Sequence, residues 1–221
     1  MMKTLILSLL YFLTGILYIA LQQHLSPCTG LIIKSLIIPV LIFIFLINQK
    51  HVTSMPFVIM LAALLFSMAG DIFIELSFIA GLICFLAAQI MYLIVFFNSP
   101  GENVILGKQF YLVIPVCIYG VVLITYLYED LNGMFIPVLI YALTILTMLT
   151  AAINRRNKVN RLSFWMVFIG ASLFVVSDSA IAVNRFSNSI KSSEWIIMTT
   201  YIAAQYLIIT GYIRQHKNKF V

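Results

Sequence analysis

Apolar residues fill this chain in blocks of about 20, each closed by a short polar, glycine- or proline-containing break. A block of that length spans the hydrocarbon of a bilayer as one α-helix. The pattern predicts eight spans: Thr4 to Leu21, Leu31 to Ile47, Pro56 to Leu76, Phe78 to Phe97, Lys108 to Tyr128, Met134 to Ile153, Leu162 to Asn184 and Trp195 to Tyr212. The expected fold is all-α, a polytopic membrane helix bundle of eight transmembrane helices. The polar stretch Asn98 to Gly107 divides a single membrane domain, 1–221, into halves 1–98 and 108–221.

The breaks carry further detail. The first block follows Lys3 like a signal peptide, and Leu25-Ser26-Pro27-Cys28 resembles a lipoprotein cleavage site. Pro27 directly before the cysteine and the lack of a small-residue cleavage motif predict a retained first helix. Pro56 suits a first helical turn. The very short turn between spans three and four predicts an antiparallel hairpin, and Pro115 predicts a kink in span five.

Composition narrows the class. The 221 residues are 63% hydrophobic and only 9% charged, with a mean hydropathy of +1.10; a soluble domain would carry roughly 25% charged residues. Eight spans leave no room for a separate soluble domain, so any chemistry sits among the helices. The net charge of +6 falls in loops and termini and makes no aromatic-interleaved basic face, which argues against nucleic acid. Cys28, Cys84, Cys117, His24, His51 and His216 are isolated, so neither a disulfide framework nor a zinc site is expected, and nothing signals a cofactor.

Positive charge sets the topology. With both termini cytoplasmic, Lys3, Lys50, Lys108, the cluster Arg155, Arg156, Lys158 and Arg161, and the tail Arg214, Lys217 and Lys219 share that side. Only Arg185 and Lys191 oppose them. The expected location is a bacterial inner membrane, with anionic lipid beside the basic loop.

Against this apolar background two carboxylates stand out, Asp71 late in span three and Asp178 late in span seven. An ionised Asp in lipid costs at least about 2.5 to 3.5 kcal/mol, so the pair implies a protected polar interior. In the topology above Lys34, Asp71, Asp178, Tyr201 and Gln205 share one depth. Gln89 and Tyr92 lie three apart on one face of span four, and Tyr201 and Gln205 four apart on one face of span eight. Asp71 followed by Ala87-Ala88-Gln89, and Asp178 by Ala203-Ala204-Gln205, make a weak parallel repeat. Blander readings stand beside these. Asp71 and Asp178 can end their helices at the interface, which is the favoured reading for Glu75, and Lys34 can snorkel to the headgroups. Gln89 and Gln205 can be interhelical hydrogen-bonding groups, and Tyr92 and Tyr201 packing or belt residues.

Gly70-Asp71, the Phe-x-x-Ala-Gln-x-x-Tyr pattern of Phe85 to Tyr92, Ser177-Asp178 with Ala182 and Phe186, and Tyr201 to Ile208 together resemble the YhhN family. This family is also called the TMEM86 or lysoplasmalogenase family. The resemblance covers essentially the whole chain, Lys34 included. Two departures are Lys34-Ser35, where the family often has Lys-Pro, and Gln89, where it frequently has His. The resemblance implies hydrolysis of the vinyl ether bond of lysoplasmalogens to a fatty aldehyde and glycerophosphocholine or glycerophosphoethanolamine. The partners implied are a lysophospholipid substrate and membrane lipid.

A vinyl ether hydrolyses by protonation of its outer alkene carbon and water attack on the resulting oxocarbenium ion, which calls for an acid and an anion. If Asp71 and Asp178 face each other, they can supply both. The sequence does not decide which Asp is acid and which is base; the preferred acid is Asp71, whose neighbours are apolar, and the preferred base Asp178 beside Ser177. Lys34 can bind the substrate phosphate or pair with an Asp, while Gln89, Tyr92, Tyr201 and Gln205 can orient water or the glycerol hydroxyl. The alternative is a small proton-coupled transporter using the same Asp and Lys residues, and a third is a lipid-binding or structural protein with no site.

Overall fold

A computed structural model describes residues 2–49, 54–99 and 110–215. Most of the polar connection at 100–107, together with Lys50, His51, Lys108, His216, Lys217 and Lys219, lies outside the described residues. Among those described, all regular structure is helical: α1 (Met2–Leu21), α2 (Pro27–Ser35), α3 (Ile37–Asn48), α4 (Met55–Leu76), α5 (Phe78–Phe97), α6 (Ile114–Leu127), α7 (Phe135–Ile153), α8 (Arg161–Phe186) and α9 (Ser193–Arg214), with 3-10 turns at Phe110–Val113 and Asn132–Met134. Eight stretches are long and apolar enough to cross a membrane, with α2 and α3 forming one of them, Cys28–Asn48. The protein is an all-α, multi-pass membrane protein. Leu5, Leu9, Leu13 and Ile16 of α1 are all more than half exposed, an aliphatic stripe whose natural solvent is lipid.

Two details depart from the pattern-based reading. The second span is broken at Leu36, because Pro39 has no N–H and its ring would clash with the Ser35 carbonyl. The Leu36 N–H instead reaches the Ile33 carbonyl at 3.2 Å. Pro115 kinks nothing in mid-helix; it sits in the first turn of α6, directly after a 3-10 turn.

The chain forms two compact units, Met1–Val95 and Phe96–Val221. In the first, Thr4 and Asn48 hydrogen-bond α1 to α3, and the rings of Phe45 and Phe57 stack at 5.0 Å between α3 and α4. Only Ser77 separates α4 from α5. The contacts Gly70 with Phe85 and Ile74 with Gly81 are centred on the same point of that turn, the register of an antiparallel pair. A Cβ on Gly81 would lie 2.5 Å from the Ile74 Cα, so the helices meet backbone to backbone.

In the second unit α8 and α9 pack antiparallel along their length. Ser163 Oγ donates to the Gly211 carbonyl at 2.7 Å and Ser177 Oγ to the Ile197 carbonyl at 3.0 Å. Between them a Cβ on Gly170 would come within 2.9 Å of the Ala204 carbonyl oxygen.

Arg155, read from sequence as one cation of a surface loop, is fully buried. Its Nε donates to Ser99 Oγ at 3.1 Å, and its Nη2 to Ser163 Oγ at 3.1 Å and Gln215 Oε1 at 2.8 Å. The guanidinium lies 5.5 Å from the Phe96 ring centroid. Burial pushes it down to about 9, which still leaves it cationic at neutral pH.

Gly81→Ala forces a methyl against backbone that cannot rotate away, and is expected to cost about 1–3 kcal/mol, read as a lowered unfolding temperature in detergent. Gln215→Ala removes the shortest bond to a buried cation, and the same measurement should show a loss of about 1.5–3 kcal/mol.

Candidate functional site

The first unit gathers charge on the facing ends of α2 and α4. Lys34 Nζ donates to Glu75 Oε1 at 2.6 Å. The Lys34 side chain is 9% exposed and that of Glu75 49%, so the stem is buried and the pair opens outward. Asp71 stands one helical turn before Glu75 and hence on the same face. It is 3% exposed, and when ionised it acts on the Lys34 ammonium together with Glu75. Lys34 therefore faces two carboxyl groups, one of them paired with it directly, which is how a cation tolerates this burial. Its direct partner is Glu75, the residue that sequence reading assigned to the water interface.

Further along the same unit, Gln89 and Tyr92 of α5 are both fully buried. Neither amide atom of Gln89 has a hydrogen-bond partner among the described residues. Each unmet group of this kind costs about 1–3 kcal/mol, so the amide is hydrogen-bonding capacity that the protein itself does not use. The amide presents one acceptor oxygen and two donor hydrogens.

In the second unit the polar centre is Asp178. The Tyr141 hydroxyl, from α7, donates to Asp178 Oδ2 at 2.5 Å. The residues on either side are tied down. Ser177 is bonded to the α9 backbone at Ile197. Ser179 donates to the Val175 carbonyl and accepts from the Tyr119 hydroxyl of α6, both at 2.7 Å. The carboxylate thus projects from backbone held by α6 and α9 while its own oxygen is fixed by α7. On α9, Gln205 Nε2 lies 3.4 Å from the Tyr201 hydroxyl, and the Tyr201 ring meets Phe174 edge-on at 5.5 Å. Both are buried.

The structure thus brings Lys34 and Asp71 together in one unit, and Tyr201 and Gln205 in the other. Glu75, Tyr141 and Tyr18, which also acts on Lys34, are additions that sequence reading missed as site members. The signal for Tyr141 was available: Tyr141, Ile145, Met148 and Ala152 are spaced four and three apart and form the buried stripe of α7. Arg155 continues that stripe. Among the described residues no three His, Cys, Asp or Glu side chains gather as a metal site.

Buried charge inside membrane-spanning helices defines the class: a multi-pass membrane protein with polar centres within its spans. The chain belongs to the YhhN family, whose profile matches residues 29–212. It is 30% identical over 148 residues to "Lysoplasmalogenase TMEM86B" of Sus scrofa, across 66% of this chain and 59% of that protein. It is 29% identical over 154 residues to the protein of the same name from Homo sapiens, across 69% and 62%. The chain therefore spans about three fifths of the length of these curated relatives. No solved structure matches it.

Glu75→Ala would take the direct partner from the Lys34 ammonium and leave it only Asp71. A fully buried pair loses about 3–5 kcal/mol in this way; with Glu75 half exposed the expected loss is roughly 1–3 kcal/mol. Thermal unfolding should place Glu75→Gln between wild type and Glu75→Ala, because the amide oxygen still accepts from the ammonium.

Proposed function

We propose that the chain is a membrane hydrolase that cleaves the vinyl ether bond of lysoplasmalogens, releasing a fatty aldehyde and glycerophosphocholine or glycerophosphoethanolamine. The observation that carries this reading is its identity with two proteins named lysoplasmalogenase over about two thirds of the chain. The family match includes Lys34, Asp71, Glu75, Tyr141, Asp178 and Gln205.

In the proposed reaction Asp71, protonated while Glu75 serves as the counter-ion of Lys34, gives its proton to the outer alkene carbon, leaving an oxocarbenium ion at the inner carbon and ether oxygen. The Asp178 carboxylate stabilises that cation and takes one proton from the water that adds to the inner carbon. The hemiacetal then collapses: its hydroxyl proton returns to Asp71, the bond to the glycerol oxygen breaks, and that oxygen takes the proton held by Asp178. The Tyr141 hydrogen bond on Asp178 suits the residue that remains an anion. Lys34 is the proposed phosphate contact. Its ammonium has three donors, so a phosphate can share it with Glu75. Gln89, with both amide atoms unused, and Tyr92, Tyr201 and Gln205 are proposed to orient water and the glycerol hydroxyl.

We further place both termini on the cytoplasmic side of a bacterial inner membrane, a reading supported by the basic α7–α8 loop.

The test is purified protein in detergent, given vinyl-ether lysophospholipid and its ester analogue, with released aldehyde and fatty acid measured. Aldehyde from the vinyl ether alone is expected, and Asp71→Asn and Asp178→Asn should each lower kcat by about 10²–10⁴-fold while the fold is retained. Full turnover in either variant would remove the paired-carboxylate mechanism. A folded wild type that turns over neither lipid would overturn the hydrolase and bring the transporter forward.

A further inference from the structure

The second unit contains a groove of about 690 Å³ formed where α6 begins, α7 ends and α8 begins. That volume is in the range of small-molecule sites. None of its lining residues belongs to the polar centre around Asp178. One end is cationic, with Arg156 and Arg161 lining the mouth alongside Asn157. Asn157 takes the left-handed conformation (φ 65°) and turns the chain between the two arginines. Both arginines are exposed, and neither has a carboxylate partner among the described residues. No acidic side chain lines the groove. The N-terminal pole of α8 adds positive potential at the same mouth.

The rest of the lining is apolar and aromatic. Ile153, Phe164 and Phe168 form walls that run inward as far as Ser172 on α8. From Arg161 to Ser172 is about 16 Å along a helix at 1.5 Å per residue, close to half of the ~30 Å hydrocarbon core. A slot one leaflet deep, cationic at the water side and greasy below, has the shape and charge of one lipid molecule standing in that leaflet.

We propose that this groove binds a single anionic phospholipid, its phosphate held by Arg156 and Arg161 and one acyl chain laid along Phe164 and Phe168. A diffuse basic loop would attract a negative membrane surface without holding any particular lipid. A walled slot holds one molecule against exchange.

Trp165 lines the groove and is one of two tryptophans in the chain, which supplies the readout. In a Trp195→Phe background, the protein is reconstituted into phosphatidylcholine vesicles containing equal mole fractions of either dibrominated phosphatidylglycerol or dibrominated phosphatidylcholine, and quenching of Trp165 is compared. Each basic residue at a membrane surface favours anionic lipid by about fivefold. The brominated anionic lipid should therefore quench with an apparent affinity on the order of tenfold higher. Arg156→Gln/Arg161→Gln should reduce that preference to below about twofold, while Arg214→Gln, an exposed cation that does not line the groove, should leave it unchanged. Equal quenching by both lipids would overturn the proposal. So would a preference that survives the double variant, or one that Arg214→Gln erodes equally, because the attraction would then belong to the surface and not to the groove. Retained thermal unfolding of each variant in detergent confirms that the comparison is between folded proteins.

Discussion

Hydrocarbon offers no hydrogen bonds, so every charge this chain carries inside its spans must be met by the chain itself. That single constraint explains features that otherwise look unrelated. Lys34 is tolerated because Glu75 binds it and Asp71 lies within its field. The Asp178 carboxylate accepts from Tyr141, and its neighbours Ser177 and Ser179 are spent on backbone and side-chain bonds that fix the helix around it. Thr144 and Thr147 on α7 turn back on their own helix and donate to the carbonyls of Ile140 and Leu143. Gln89 stands apart from this rule, which is why its unused amide carries weight in a functional reading.

How close the helices come is the second half of the same problem. The helices that carry the two aspartates are each packed closely against a neighbour, and the glycines allow that approach. Gly81 lets α5 lie against the α4 segment that carries Asp71 and Glu75, and Gly170 lets α9 lie against the α8 segment leading to Asp178. Association of this kind rests on packing and buried hydrogen bonds, since lipid supplies no hydrophobic drive between helices.

The helices were legible because their signal is long and redundant: twenty apolar residues leave one solution in a bilayer, and Phe78 to Phe97 is read to the residue. Breaks inside a span were harder. Pro39 and Pro115 are both proline in apolar sequence, yet one splits a helix at Leu36 and the other opens one after a 3-10 turn, because the outcome depends on where the flanking turns begin. Asp71 and Asp178 were visible by their cost in lipid, and a pairing of Lys34 with an Asp was among the readings, but Glu75 as the direct partner of Lys34 and Tyr141 as that of Asp178 were not. Glu75 sits near a helix end and Tyr141 among apolar neighbours, positions where sequence alone favours an interfacial or packing role. Arg155 was misplaced for a similar reason: a cation beside Arg156 looks like loop, and only the phase of the α7 stripe shows that it turns inward.

The bonds of Arg155 also order events in time. Its three partners, Ser99, Ser163 and Gln215, come from stretches of the chain more than fifty residues apart. During synthesis Ser99 and Arg155 emerge before Gln215, so the guanidinium lacks its shortest hydrogen bond until 60 further residues have been made. It must wait where water can reach it. The second unit therefore cannot close around this cation until Gln215 has been made, and a nascent chain stalled before Gln215 would present a half-solvated arginine where the folded unit buries it.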